Sequence, residues 1–111
     1  MNWITLNETA QLEEIQRKSN LRPQVIFKHS TRCGTSSLVK RRLERDEPDA
    51  GIDFYFLDLI HFRAVSNKIA EIFGIGHESP QLLLIKNGKC VYDESHLGID
   101  MSELLNRVSL N

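Results

Sequence analysis

Cys33 is the residue of this chain whose type and position best fit covalent chemistry. It follows an apolar segment, Val25 to His29, that is typical of a buried strand, and it precedes a segment whose apolar residues have helical spacing. A cysteine at such a junction lies beside the unpaired N–H groups of the first helical turn, which favour the thiolate over the thiol. Because the thiolate is the species that attacks disulfides, Cys33 is predicted to be a nucleophile.

The residues next to Cys33 support the same chemistry. Arg32 brings a positive charge beside the sulfur, and Gly34 lets another chain approach it closely. The hydroxyls of Thr35 and Ser36 are within reach to donate hydrogen bonds. These four neighbours are therefore predicted to stabilise the thiolate.

The second cysteine, Cys90, lies far along the sequence in a segment with strand character. A small, weakly polar side chain in such a place is predicted to pack as an apolar residue. A role in resolving a disulfide with Cys33 stays open, because sequence does not reveal spatial proximity.

A metal site is not predicted. The histidines have neither helical i, i+3 or i, i+4 spacing nor a cysteine partner. One of them, His29, is close enough in sequence to Cys33 to form a hydrogen bond near the thiolate. The four histidines are His29, His61, His77 and His96.

Length and composition indicate one domain spanning residues 1–111. The chain is 41% hydrophobic and 26% charged, and its net charge of −1 predicts neither a nucleic-acid nor a membrane partner. The apolar run from Leu82 to Ile85 is too short to cross a bilayer, and the N-terminal residues lack a secretion signal. With only two cysteines, a disulfide scaffold is not expected. The cytoplasm is the predicted compartment.

Periodicity and turn signals predict an α/β fold with the order β-α-β-α-β-α-β-β-α. Such an order implies a mixed central sheet with helices on both faces. The Asn87-Gly88 pair predicts a hairpin, and Asp100 predicts the start of the last helix. The predicted strands are Trp3–Leu6, Val25–His29, Asp53–Leu59, Gln81–Lys86 and Cys90–Asp93. The other predicted helices run from an N-cap at Asn7 to Lys18, from Cys33 to about Arg45 and over Val65–Phe73, with a turn at 46–51.

The element order, the cysteine at the start of the second helix and the Ser79-Pro80 pair before the next strand resemble the thioredoxin superfamily. This resemblance covers essentially the whole chain. It implies that the Ser79–Pro80 bond is cis and that its loop lies against the sulfur of Cys33. On that basis, Ser79 and Pro80 are expected to bind the substrate disulfide.

Three blocks are similar, more narrowly, to the monothiol bacilliredoxins: Lys28 to Ser36, Arg63 to Ile75, and His77 to Gln81. The similarity implies removal of bacillithiol, or a similar low-molecular-weight thiol, from mixed disulfides on other proteins. The small thiol would be a co-substrate transferred to Cys33, and no tightly bound cofactor is implied. Partners would be S-thiolated client proteins and a separate reductase, in redox homeostasis and the stress response.

Several positions differ from related families. Ser36 stands where thioredoxins carry their second cysteine, and Phe27 stands where they carry a buried acid. Gly34-Thr35 replaces the Pro-Ile that is more common in bacilliredoxins of this type. The Cys-Gly-x-Ser motif is also similar to monothiol glutaredoxins that share iron–sulfur clusters between subunits, and residues 97–100 faintly resemble their thiol-binding loop. An iron–sulfur carrier and a non-catalytic thioredoxin-like binding module are therefore the alternative functions.

Overall fold

The strands and helices follow the predicted order. The structure is a computed structural model and describes residues 1–46 and 51–110. None of the helices in those two ranges is long and apolar enough to span a membrane. The strands are β1 (Trp3–Thr5), β2 (Gln24–His29), β3 (Asp53–Asp58), β4 (Gln81–Lys86) and β5 (Lys89–Ser95). The helices are α1 (Ala10–Lys18), α2 (Gly34–Arg45), α3 (Arg63–Phe73) and α4 (Met101–Ser109).

Two features depart from or extend the predicted pattern. Strand β5 continues to Ser95 and leads into a short 3-10 turn, His96–Gly98, which the sequence analysis does not predict. The predicted turn at 46–51 falls largely on residues 47–50, which lie outside the described residues.

The strands form one mixed sheet in the order β1-β3-β2-β4-β5. Strands β1, β3 and β2 run parallel, whereas β4 is antiparallel to both β2 and β5. Strand β2 is central, and all six of its residues are buried. In its register, Lys28 lies opposite Leu57 of β3 and Gln81 of β4. The predicted α/β fold with a mixed sheet is confirmed.

Helices cover both faces of the sheet and create two apolar clusters. Because successive strand residues point to opposite faces, Ile26 belongs to one cluster and Phe27 to the other. By the same alternation, Lys28 points to the face of Ile26 and His29 to the face of Phe27. The first cluster includes Leu12, Ile15, Leu57, Ile69 and Leu83, and the second includes Val25, Val39, Leu43, Leu82 and Leu104.

Local signals at the C-terminal half predict the structure well. Asn87 and Gly88 both have positive φ values, 53° and 78°, and they connect β4 to β5 as a two-residue hairpin turn. The carboxylate of Asp100 accepts a hydrogen bond of 3.0 Å from the N–H of Glu103, which caps α4. Both features agree with the sequence prediction.

The predicted start of α1 is wrong. The helix begins at Ala10 with Thr9 at its N-cap, not at Asn7. The side-chain oxygen of Gln11 accepts hydrogen bonds from the N–H groups of Asn7 (2.8 Å) and Glu8 (2.9 Å). A side chain from within the helix therefore binds the N–H groups of Asn7 and Glu8, and the helix starts two residues later than predicted.

Candidate active site

Cys33 lies in the connection between β2 and α2. Its N–H donates to the carbonyl of Ser30 over 3.2 Å, and the N–H of Arg32 donates to the Ser30 hydroxyl over 3.3 Å. The backbone of Cys33 is extended, with φ −112° and ψ 116°, and its carbonyl accepts from the N–H of Ser37. The thiol is free and partly exposed. Cys33 is therefore a partly exposed residue at the N-terminus of α2.

Three of the predicted neighbours form the rim around this thiol. Arg32 and Gly34 are exposed and Thr35 is half-buried. A Cβ added to Gly34 would meet no atom within 4 Å, so the approach to the helix start is open. Thiolate stabilisation by Arg32, Gly34 and Thr35 stays a prediction.

Ser36 is fully buried and makes its hydrogen bonds away from the sulfur. Its Oγ lies 2.7 Å from Nδ1 of His29 and accepts from the N–H of Ser30 over 3.1 Å. The hydroxyl thus links the end of β2 to the first turn of α2. In residues 1–46 and 51–110, no hydrogen bond joins Ser36 or Thr35 to Sγ of Cys33, which differs from the predicted donation. Ser36 points into the fold, where its hydroxyl holds the turn that carries Cys33.

His29 is the buried partner in this link. Only 5% of the residue is exposed, and its ring lies 5.2 Å from that of Phe56 and 6.0 Å from that of Phe27. Burial lowers the pKa of His29, and the positive charge of Lys40 lowers it further. A neutral ring leaves Nδ1 able to accept the hydroxyl hydrogen of Ser36. His29 therefore bonds to Ser36, and a hydrogen bond of His29 near the thiolate stays a prediction.

The Ser79-Pro80 segment leads directly into β4, which is next to β2 in the sheet. The Ser79–Pro80 bond is cis, as the resemblance implies. With Lys28 opposite Gln81 in the antiparallel register, the next pair outward brings Pro80 alongside His29. Pro80 is therefore beside the end of the strand that leads into the Cys33 turn.

Contacts with the 3-10 turn hold this segment from outside. The carbonyl of Pro80 accepts a hydrogen bond of 2.9 Å from the N–H of His96. The imidazole of His96 lies 3.3 Å from the carboxylate of Glu78. The segment before β4 is therefore attached at two points to the chain that follows β5.

Sequence analysis did not identify Lys28 and His77 as functional residues. Lys28 is completely buried, and its Nζ lies 2.7 Å from Nδ1 of His77. Burial lowers the pKa of Lys28 to about 8, and the charge of Arg63 acts in the same direction. Burial and the charge of Lys28 lower the pKa of His77. The available signal was a lysine that directly follows three apolar residues, 25–27, in a strand predicted to be buried, where a lysine is rare without a partner.

Cys90 lies far from Cys33 along the sheet. It pairs with Ile85 near the hairpin end of β4, whereas Gln81, at the other end, lies next to Pro80. Four residues of strand separate the two ends by about 13 Å. The Cys90 thiol packs against the first apolar cluster, bonds to the carbonyl of Tyr92 over 3.3 Å, and burial raises its pKa to about 11. This placement agrees with a packing role.

Each histidine has a protein partner in the structure. Within the described ranges, no three histidine, cysteine, aspartate or glutamate side chains form a group that could hold a metal ion. The pairs are His29 with Ser36, His61 with Asp58, His77 with Lys28, and His96 with Glu78.

The fold and the site together define a thioredoxin-like redox protein that has a single cysteine in its motif. A solved structure described as a putative oxidoreductase with a thioredoxin fold is similar, with 28% identity, a TM-score of 0.78, and coverage of 94% of this chain and 91% of that one. The thioredoxins of Malassezia sympodialis and Fasciola hepatica share the fold at 19% identity, each with a TM-score of 0.74. The alignment with the Malassezia thioredoxin covers 97% of this chain and 89% of that one. The alignment with the Fasciola thioredoxin covers 95% of each chain.

The family model for monothiol bacilliredoxin BrxC matches residues 4–104. The chain therefore belongs to the monothiol bacilliredoxin BrxC family. Membership of this family, together with the oxidoreductase fold, supports a redox role for the protein.

Proposed function

We propose that this protein removes bacillithiol, or a similar low-molecular-weight thiol, from mixed disulfides on client proteins. The observation that carries the proposal is the pair of positions Cys33 and Ser36. Cys33 is partly exposed at the N-terminus of α2, and Ser36, three residues later, is a fully buried serine. Such a site has one nucleophile and no second thiol in the motif.

The reaction is an exchange of sulfur partners. The Cys33 thiolate attacks the sulfur of the small thiol in the mixed disulfide and forms a new disulfide with it. The bond between the small thiol and the client breaks, and the client cysteine leaves as a thiolate that takes a proton from water. No net oxidation or reduction occurs in this step, because one disulfide replaces another.

The cycle then needs a second thiol from outside the motif. A free molecule of the small thiol, or a separate reductase, attacks the disulfide on Cys33 and releases the enzyme thiolate. When the small thiol does this, the product is its symmetrical disulfide. A reducing compartment such as the cytoplasm supplies such thiols and suits this cycle.

Intact mass after a single turnover tests the proposal. The wild-type protein, mixed with an excess of a bacillithiolated client peptide, should gain the mass of one bacillithiol. Cys33→Ser should gain nothing, because a serine hydroxyl is not ionised near neutral pH. Cys90→Ser is the matched control and should still gain it.

Other products would contradict the proposal. An intramolecular disulfide between Cys33 and Cys90 would make Cys90 a resolving residue. An absence of any adduct on wild-type protein, with the peptide unchanged, would indicate a non-catalytic binding module. A coloured dimer after anaerobic purification would favour an iron–sulfur carrier.

A further inference from the structure

Lys28 is a charged residue in the interior of the central strand. Its exposed fraction is 0%, and it lies one residue before the end of β2. A buried ammonium group loses its hydration, and an apolar side chain of similar size is often as stable or more stable in such a place. Lys28 is therefore not explained by the packing of the core.

The contact that Lys28 makes joins two parts of the site. Its Nζ lies 2.7 Å from Nδ1 of His77. The hydroxyl of Ser66 on α3 lies 3.4 Å from Nδ1 of the same histidine. His77 is in the segment between α3 and β4, three residues before Pro80. The bond therefore connects the central strand to the segment that enters β4 beside the end of β2.

The surroundings of Lys28 contain few compensating charges. The charge of Arg63 on α3 disfavours the protonated form of Lys28, and the charge of Glu78 favours it. On β4, Gln81 lies opposite Lys28, and its Oε1 is buried without a hydrogen-bond partner in the described residues. His77 is therefore the side chain to which the Lys28 ammonium donates a hydrogen bond.

The last two residues of β2, Lys28 and His29, make hydrogen bonds on opposite faces of the sheet. His29 points to one face of the sheet and holds the Cys33 turn through Ser36. Lys28 points to the other face and holds the segment that leads to Pro80 through His77. The nucleophile and the substrate-binding segment are thus both attached to the same end of one strand.

We propose that Lys28 is a positioning residue, whose bond to His77 keeps the segment from His77 to Pro80 in place beside Cys33 for the incoming mixed disulfide. The inference rests on the proposed function, and it adds a residue that does not touch the substrate. Loss of the bond releases the segment and misplaces the disulfide relative to the sulfur.

Two reactions of Cys33 distinguish a loss of substrate positioning from a general loss of structure around the cysteine. Transfer of bacillithiol from a peptide mixed disulfide to Cys33 depends on the segment from His77 to Pro80. Alkylation by iodoacetamide needs only the thiolate. In Lys28→Met, transfer should slow by at least about tenfold, since small misplacements of reacting groups are costly. Alkylation should stay within about twofold of wild type, because iodoacetamide does not use the segment from His77 to Pro80.

Gln24→Met is the matched control. Gln24 is also fully buried and polar, but it lies at the other end of β2, where it bonds to Asp53 and Tyr55. Both reactions should keep nearly wild-type rates in this variant. Equal losses in Gln24→Met and Lys28→Met, or an unaffected transfer rate in Lys28→Met, would overturn the proposal.

Variants of His77 test the bond from its other side. His77→Asn keeps an acceptor oxygen near the place of Nδ1 and should retain most of the transfer rate, whereas His77→Leu should lose it. The double variant Lys28→Met with His77→Leu should be no slower than either single one, because both remove the same bond. Additive losses would show that the two residues act independently.

Amide hydrogen exchange tests the positioning role of Lys28 without any measurement of transfer activity, so its result does not depend on the proposed function. If the wild-type protein transfers nothing from the peptide, the proposed function fails. Lys28→Met should still lower the protection of residues 77–81 more than Gln24→Met does. Equal protection in the two variants would overturn the positioning role whatever the activity.

Discussion

The hydroxyl of Ser36 lies 2.7 Å from Nδ1 of His29, and both residues are buried beneath the turn that carries Cys33. In a thioredoxin the position of Ser36 holds the second cysteine. Here the same position contributes a hydrogen bond instead of a thiol. The motif therefore has one thiol, and the Ser36 hydroxyl fixes the turn that carries Cys33.

Replacing Ser36 by alanine should destabilise the protein. The change leaves the N–H of Ser30 and Nδ1 of His29 without their partner, and unsatisfied buried groups cost about 1–3 kcal/mol. Urea unfolding measures the loss. Ser109→Ala, which removes an exposed hydroxyl bonded to the carbonyl of Leu105, is the control and should change the free energy of unfolding by less than about 0.5 kcal/mol. Equal effects of the two changes would contradict this role of Ser36.

Arg32→Ala should slow the alkylation of Cys33 without altering the fold. Arg32 is exposed, so its charge should affect the rate at pH 7 by about two- to fivefold, the size expected for one exposed charge pair. The rate with iodoacetamide and the circular dichroism spectrum check this. Arg41→Ala, an exposed change two turns further along α2, should leave the rate unchanged. An unchanged rate in Arg32→Ala would contradict the predicted effect of Arg32.

Stability should fall as the solution becomes mildly acidic. The pKa values of His29 and His77 in the folded protein are lowered, mainly by burial, below the ordinary value of 6.5. The unfolded chain therefore binds more protons than the folded one as the pH falls through 6.5, and stability is lost in that window. Urea unfolding between pH 7.5 and 5 measures the slope. His29→Asn, which cannot titrate but keeps an acceptor for Ser36, should reduce that slope. An unchanged slope would show that His29 titrates alike in both states.

Lys28→Met should stabilise the protein even as it slows the transfer reaction. The pKa of Lys28 falls from 10.5 to about 8 on folding, which corresponds to roughly 3 kcal/mol against the charged form. That cost is fully present below pH 8 and disappears as the pH rises through 10.5, so the gain from methionine should shrink over the same window. Urea unfolding at pH 7 and pH 10 measures both values. A destabilised variant at pH 7 would show that Lys28 contributes net stability.

The sequence alone determined the features that depend on short-range chemistry. The pattern of apolar residues predicts the strands and helices seen in the described residues, Asn87-Gly88 predicts the hairpin, and Asp100 predicts the start of α4. The place of Cys33 at a strand-to-helix junction follows from the same patterns. Each of these features arises from residues within a few positions of one another, so the signal is contained in the local sequence. Where a nearby side chain competed, as Gln11 does at the start of α1, the predicted N-cap was wrong by two residues.

Only the tertiary structure decided which side chains meet in the site. The partner of Lys28 lies 49 positions along the chain, and the two residues come together because β2 and β4 are neighbours in the sheet. The separation of Cys90 from Cys33 likewise depends on strand register, which places Cys90 at the hairpin end of β4. The inward direction of the Ser36 hydroxyl depends on the packing of α2 over the end of β2. These contacts join segments that are distant in sequence, and the free energy that selects them comes from burying the whole sheet between its two layers of helices.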